Sequence, residues 1–237
     1  MTSMDASRGA TWGVGSTIET SASILFKNFV PFVGTALVAS LPSLIFAQIV
    51  SSEAAQGIVN FIISQIVTVT LIYGAMQALR QRQISISECL EQGFRRLGAA
   101  LGVAIVSAIC FAIGLVALVI PGLILMTMWA VAIPAATIEQ AGVGASLSRS
   151  AALTRERRWR VFGAVLVAGI ITIIVSIIAG GIAGAITGTN SFLFTVVIWA
   201  LSAVSQAFSA CVSATLYYFL RREKEGVEID QIATVFD

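Results

Sequence analysis

The stretch ALTRERRWRVFGAVLVAGIITIIVSIIAGGIAGAIT, residues 152–187, joins two unlike halves. The first sets Arg155, Arg157, Arg158 and Arg160 around Trp159, with a single acid, Glu156. The second, from Val161 to Thr187, contains no charged residue and exceeds the roughly 20 residues that cross a bilayer core. A basic cluster running into an apolar rod reads as a membrane–water boundary. Long arginine side chains snorkel to the headgroups there, and tryptophan prefers that level.

The rest of the chain extends this reading. Further apolar runs span Phe29 to Val50, Gly57 to Leu79, Gly98 to Ile120, Leu123 to Ile138 and Phe192 to Leu220, and none contains Asp, Glu, Lys or Arg. One such run would also fit a buried core helix; six do not. The composition agrees: 57% of the 237 residues are hydrophobic and 11% charged, against about a quarter charged in soluble domains. So little charge cannot cover a water-facing surface. The expected class is an all-α membrane protein with six transmembrane helices.

The connections predict orientation. All 14 Lys and Arg fall before the first run, between the second and third, between the fourth and fifth, or after the sixth. The opposite side has the segments SSEAAQ, PG and GTNS, whose only charge is Glu53. By the positive-inside rule both termini face the cytoplasm. The polar start, MTSMDASRGATWG, leads into no signal-peptide h-region, so no cleaved leader is expected. A bacterial cytoplasmic membrane is the expected location.

A repeat underlies the topology. Ser16-x-x-Glu19 and Ser85-x-x-Glu88 read as capping boxes, followed at helical spacing by Ile18, Ala22, Leu25 and Phe29, and by Ile86, Leu90, Phe94 and Leu97. Phe26 aligns with Phe94, Lys27 with Arg95, and Gly34 with Gly102; a third copy aligns Gly34 with Gly163 and lacks the capping Glu. The expectation is one integral membrane domain over 1–237. It divides into a tail (1–13), three hairpin units (14–79, 84–138, 140–220) and a tail (221–237). Each hairpin is preceded by a cytoplasmic amphipathic interfacial helix. The last tail ends in apolar Ile229, Ile232, Val235 and Phe236, either a short docking helix or, as chain ends usually do, a frayed end.

Several function classes drop out. The chain has no histidine, which removes imidazole acid–base chemistry and most zinc sites. Cys89, Cys110 and Cys211 are far apart with no CxxC pair, so neither a disulfide framework nor a metal centre is expected. A net charge of +2 gives no bulk attraction for nucleic acid. No catalytic residue, metal or cofactor is expected.

Three constellations remain. Lys27, Arg95, Arg96, Arg155, Arg157, Arg158, Trp159 and Arg160 form the expected lipid-headgroup or interface set. Asn60, Ser64, Gln65 and Thr68 in the second span, and Ser202, Gln206 and Ser209 in the sixth, form polar stripes. Such stripes usually act as interhelical hydrogen-bonding glue, and otherwise line a solute path. Glycines spaced by four (Gly98 and Gly102; Gly180, Gly184 and Gly188) allow close helix approach, and Pro42 and Pro134 are expected to kink the first and fourth spans.

The stretch from Pro121 to Gly163 resembles the integral-membrane domain of some bacterial glycerophosphodiester phosphodiesterases and of uncharacterised multi-pass proteins that share it. The positions carrying the likeness are Pro121, Gly122, Trp129, Pro134, Glu139, Leu147, Arg149, Ser150, Leu153, Trp159 and Gly163. In those enzymes catalysis belongs to a separate soluble domain, so the resemblance implies a membrane part without the activity. Glu139 and Arg149 are expected to pair across the elbow after the fourth span. The leading expectation is a non-catalytic inner-membrane protein whose basic amphipathic elements engage anionic lipid or a membrane partner complex, itself or another protein. The alternative is a transporter or channel for a small amphiphilic or uncharged solute.

Overall fold

A computed structural model of the chain describes residues 12–50, 52–82, 85–117, 119–188 and 191–226, with side chains for all of these except 47, 115–117, 119–121 and 191. Residues 1–11, Ile84 at the expected start of the second unit, and the apolar tail positions Ile229, Ile232, Val235 and Phe236 lie outside the described residues. Every element among the described residues is helical: α1 (Val14–Lys27), α2 (Phe29–Ile49), α3 (Glu53–Leu79), α4 (Ile86–Ala117), α5 (Val119–Met128), α6 (Ala132–Glu139), α7 (Val143–Thr154), α8 (Arg158–Thr187) and α9 (Ser191–Glu225). Six stretches are long and apolar enough to cross a membrane. The chain has an all-α, multi-pass membrane fold.

α3 and α9 form the centre. α9 turns Ala203, Ala207, Ala210 and Ala214 inward, and these small side chains let α3 approach with Val67, Leu71, Ile72 and Ala75. The outer helices leave broad branched side chains uncovered: Val38, Leu41 and Ile45 on α2, Ile105, Ile109 and Ile113 on α4, and Ile173, Ile174, Ile177 and Ile178 on α8. In water so continuous an apolar belt would drive aggregation. Against acyl chains it is the matched surface.

The three units begin differently. Asn28 separates α1 from α2, with φ −122° and ψ 36°, and its Nδ2 donates to the Ile24 carbonyl at 3.1 Å. Arg157, at the aligned position of the third unit, has nearly the same backbone, φ −125° and ψ 19°, and separates α7 from α8. The aligned residue of the second unit is Arg96, which continues the helix, so the expected interfacial helix and the third span are one rod, α4. The second unit therefore lacks the separate interfacial helix.

Neither expected capping box forms. Gly13 is the N-cap of α1; its N–H donates to Ser16 Oγ at 2.8 Å, which places Ser16 inside the helix. Glu88 instead accepts from the Tyr73 hydroxyl at 2.8 Å, tying α4 to α3. Trp12, assigned to the N-terminal tail by sequence, is buried and stacked on Phe219 at 6.2 Å.

The fourth crossing is two helices in series, α5 and α6, rather than one rod from Leu123 to Ile138. Pro121 and Gly122 lie in the first turn of α5, where proline's missing N–H is no loss. Across the break, the Ala132 N–H goes to the Trp129 carbonyl, which leaves the Met128 carbonyl without its usual helical donor. Pro134 removes the donor that Ala130 would receive. Side chains from elsewhere replace both: Ser150 Oγ (2.8 Å) and Thr154 Oγ1 (3.3 Å) donate to Met128, and Ser213 Oγ (3.5 Å) to Ala130. A broken helix is tolerated in a membrane only under such cover.

The spaced glycines behave unequally. A methyl group added at Gly98, Gly180 or Gly184 would meet nothing within 4 Å, so these positions bring no helices of this chain together. Gly102 does face α7, where a Cβ would sit 2.5 Å from Val143 Cγ2. The tightest helix contact is at Gly93, where a Cβ would lie 2.1 Å from Thr70 Oγ1 and 3.3 Å from Thr70 Cα.

Candidate functional site

Helix ends rich in cations meet at one end of the bundle, and the expected interface residues divide there. Lys27, Arg95, Arg155 and Arg158 are exposed, and Trp159 is 86% exposed. Among the described residues Arg95 pairs with Glu91 alone, one turn earlier, at 2.8 Å. Arg96 is turned inward: it is 9% exposed, donates Nη1 to the Thr137 carbonyl at 2.6 Å, and lies 5.2 Å from the centre of the Tyr73 ring. That burial removes Arg96 from the headgroup set and makes it a strut between α4, α3 and the end of α6. Arg157 is likewise engaged, with Glu223 at 2.7 and 2.9 Å, and Arg160 stands 4.0 Å from the same carboxylate. The bond to Glu223 raises the Arg157 guanidinium above its ordinary range.

Behind this surface lies an ion-pair clamp. Glu139, at the end of α6, accepts Arg149 Nε at 2.8 and 3.1 Å and the Tyr217 hydroxyl at 2.6 Å. Arg149 also pairs with Glu225, which in turn holds Arg221 at 2.8 Å. Burial lowers the Arg149 guanidinium, but its bonds to Glu139 and Glu225 outweigh that and hold it above its usual range. Glu223 also accepts Trp12 Nε1, and Lys224 donates to the Ala152 carbonyl. The clamp fastens α6, α7 and α8 to the last two turns of α9. Sequence reasoning named only Glu139 and Arg149. Tyr217, Arg221 and Glu225 recur every four residues on one helix face, a signal present in the sequence, where Tyr217 falls in the sixth apolar run, Arg221 among the topology charges and Glu225 in the tail.

The polar stripes converge elsewhere. A pocket of about 260 Å³ lies between α2, α3 and α9, lined by Ser40, Ser43, Asn60, Ser64, Ser202, Gln206 and the apolar Ile63, Val67 and Trp199. Gln65, Thr68 and Ser209 are not in its lining. Three of the stripe hydroxyls bond within their own helices: Ser64 donates to Phe61, Thr68 to Ser64 and Ser202 to Ile198. Among the described residues no hydrogen bond joins the α3 stripe to the α9 stripe; across the pocket, Trp199 Nε1 donates to the Ser40 carbonyl at 3.2 Å. The Gln206 side-chain carbonyl is buried without a partner.

No group of three acidic, cysteine or histidine side chains that could hold a metal occurs among the described residues. Residues 92–220, more than half of the chain, match a family described as a domain of unknown function, DUF7847. The chain belongs to that family. No curated protein and no solved structure matches it. The DUF7847 region covers the split fourth crossing, Glu139, Arg149 and Tyr217, and includes the whole stretch from Pro121 to Gly163. It leaves α1 to α3 outside, and with them the Ser40, Ser43, Asn60 and Ser64 wall of the pocket.

Proposed function

We propose that this chain is a non-catalytic, multi-pass protein of a bacterial cytoplasmic membrane whose outward basic and aromatic side chains engage anionic lipid headgroups. One observation carries the reading: each of the three units presents an exposed aromatic residue beside an exposed cation where its span begins. These are Phe26 (73% exposed) with Lys27, Phe94 (60%) with Arg95, and Trp159 with Arg158. An aromatic ring placed at headgroup depth beside a snorkelling cation suits an anionic leaflet, at about 1 kcal/mol per cation near the surface. The clamp supports the same role by holding α7 and α8 rigidly to α9, so that Arg155, Arg158 and Trp159 form a fixed surface. In this reading both termini lie on the cytoplasmic side, and the likeness to the phosphodiesterase-associated membrane domain marks a shared membrane module.

The test uses the full chain in nanodiscs of mixed phosphatidylglycerol and phosphatidylcholine, released into native mass spectrometry. Wild-type protein is expected to retain phosphatidylglycerol preferentially. A variant with Lys27, Arg95, Arg155 and Arg158 all replaced by Gln is expected to lose that preference. Equal retention of the two lipids by wild-type protein would refute the proposal.

A further inference from the structure

The pocket between α2, α3 and α9 is set apart from the cationic surface. Counting about 1.5 Å per helical residue, Asn60 and Ser64 lie about 10 and 16 Å along α3 from Glu53, and Ser202 and Gln206 about 16 and 22 Å along α9 from Ser191. The pocket thus occupies the half of the span away from the cations, down to mid-depth. Asn60 and Ser202 are exposed at its rim, so it opens sideways from the bundle, toward the acyl chains.

Polar side chains that open onto hydrocarbon need polar partners. An amide left unsatisfied in an apolar medium costs several kcal/mol, and the helices do not satisfy Asn60 and Gln206 by bonding to each other. The lining specifies the occupant's chemistry. It holds no acid and no base, so it offers no counter-charge to an ion. The Gln206 side-chain carbonyl is buried behind the lining, beyond an occupant's reach, so the amide open to the pocket is that of Asn60, which offers both a donor and an acceptor. A hydroxyl supplies both functions. The hydroxyls of Ser43, Ser64 and Ser202 donate to their own helices; Ser64 Oγ also accepts from Gln65 Nε2 at 3.5 Å, and the remaining lone pairs are left to accept. The space, about 260 Å³, equals that of roughly eight to nine waters, enough for a glyceryl head and the first carbons of a chain. Trp199, Ile63 and Val67 supply the apolar wall such a chain would follow.

We infer that this pocket binds the uncharged, hydroxyl-bearing glyceryl group, entering from the bilayer as the head of a neutral glyceride or from solution as free glycerol. The inference stands apart from the lipid-surface proposal, because the residues and the lipid charge class differ.

The experiment places the full chain in phosphatidylcholine nanodiscs doped with a monoacylglycerol carrying a photoactivatable acyl chain. Saturable labelling of peptides around 40–43, 60–64 and 199–206 is expected, competed by unlabelled monoacylglycerol. Competition by millimolar free glycerol, with glycerol flux into proteoliposomes, assigns the solute source; competition by the glyceride alone assigns the lipid source. Asn60→Leu should weaken half-maximal labelling about fivefold, the effect of one lost hydrogen bond. Asn60→Gln, which keeps the amide, should stay within about twofold of wild type. Circular dichroism of each variant separates loss of binding from loss of fold. Labelling that does not saturate and is unmoved by either competitor, or that is unchanged in the folded Asn60→Leu variant, would overturn the inference and leave the pocket holding water alone.

Discussion

Replacing Glu139 by glutamine tests the clamp that fixes the inner surface. The carboxylate is about one-fifth exposed and its partner Arg149 less than a third, so solvent screens the pair only in part. Glu139 receives two charge-assisted contacts from Arg149 and one bond from Tyr217. Bonds to a charged group contribute about 1.5–3 kcal/mol each, and breaking a buried pair outright costs about 3–5 kcal/mol. Glutamine keeps one accepting oxygen, and Arg149 keeps Glu225, so the expected loss is smaller, about 2 kcal/mol. Unfolding in detergent should register a midpoint lower by about 4–8 °C. A double-mutant cycle with Arg149→Gln should show coupling above about 1 kcal/mol, because either substitution alone removes the same contact. Glu91→Gln, which breaks the exposed pair with Arg95, serves as the contrast and should change stability by less than about 0.5 kcal/mol. If the effects of Glu139→Gln and Arg149→Gln simply add, the two side chains do not act together and the clamp reading is wrong.

Three further outcomes follow from the packing. Arg96→Gln should destabilise the protein by about 1–3 kcal/mol, since it leaves the buried Thr137 carbonyl without this donor, whereas Arg95→Gln should be near neutral in the same detergent melt. Gly93→Ala should cost about 1–3 kcal/mol, because its methyl group would press on Thr70 down to the backbone; Gly98→Ala, with open space around it, should not reduce the unfolding midpoint. Ser150→Ala combined with Thr154→Val should expose the Met128 carbonyl and cost about 1–3 kcal/mol, read as faster amide exchange across residues 129–135 in hydrogen–deuterium mass spectrometry.

The membrane class and the six crossings were legible in the sequence because the bilayer excludes charge residue by residue, and a run such as Val161 to Thr187 satisfies that rule without reference to its neighbours. Which helices break was not legible. Asn28 and Arg157 share a backbone conformation while Arg96 stays helical, and Arg96 and Arg157 each make a distant partner, Thr137 or Glu223, that linear spacing does not reveal. The split of the fourth crossing depends in the same way on hydroxyls from α7 and α9 that reach its free carbonyls.

The polar stripes mark the same division. Four-residue spacing alone put Asn60 with Ser64, and Ser202 with Gln206, on single helix faces, because helical periodicity is a local property of the chain. Whether those faces bond to each other or stand apart around a pocket depends on the distance between α3 and α9, and on Ser40 and Ser43 arriving from α2. Helix separation is set by side-chain volumes on several segments at once, so only the folded bundle decided it.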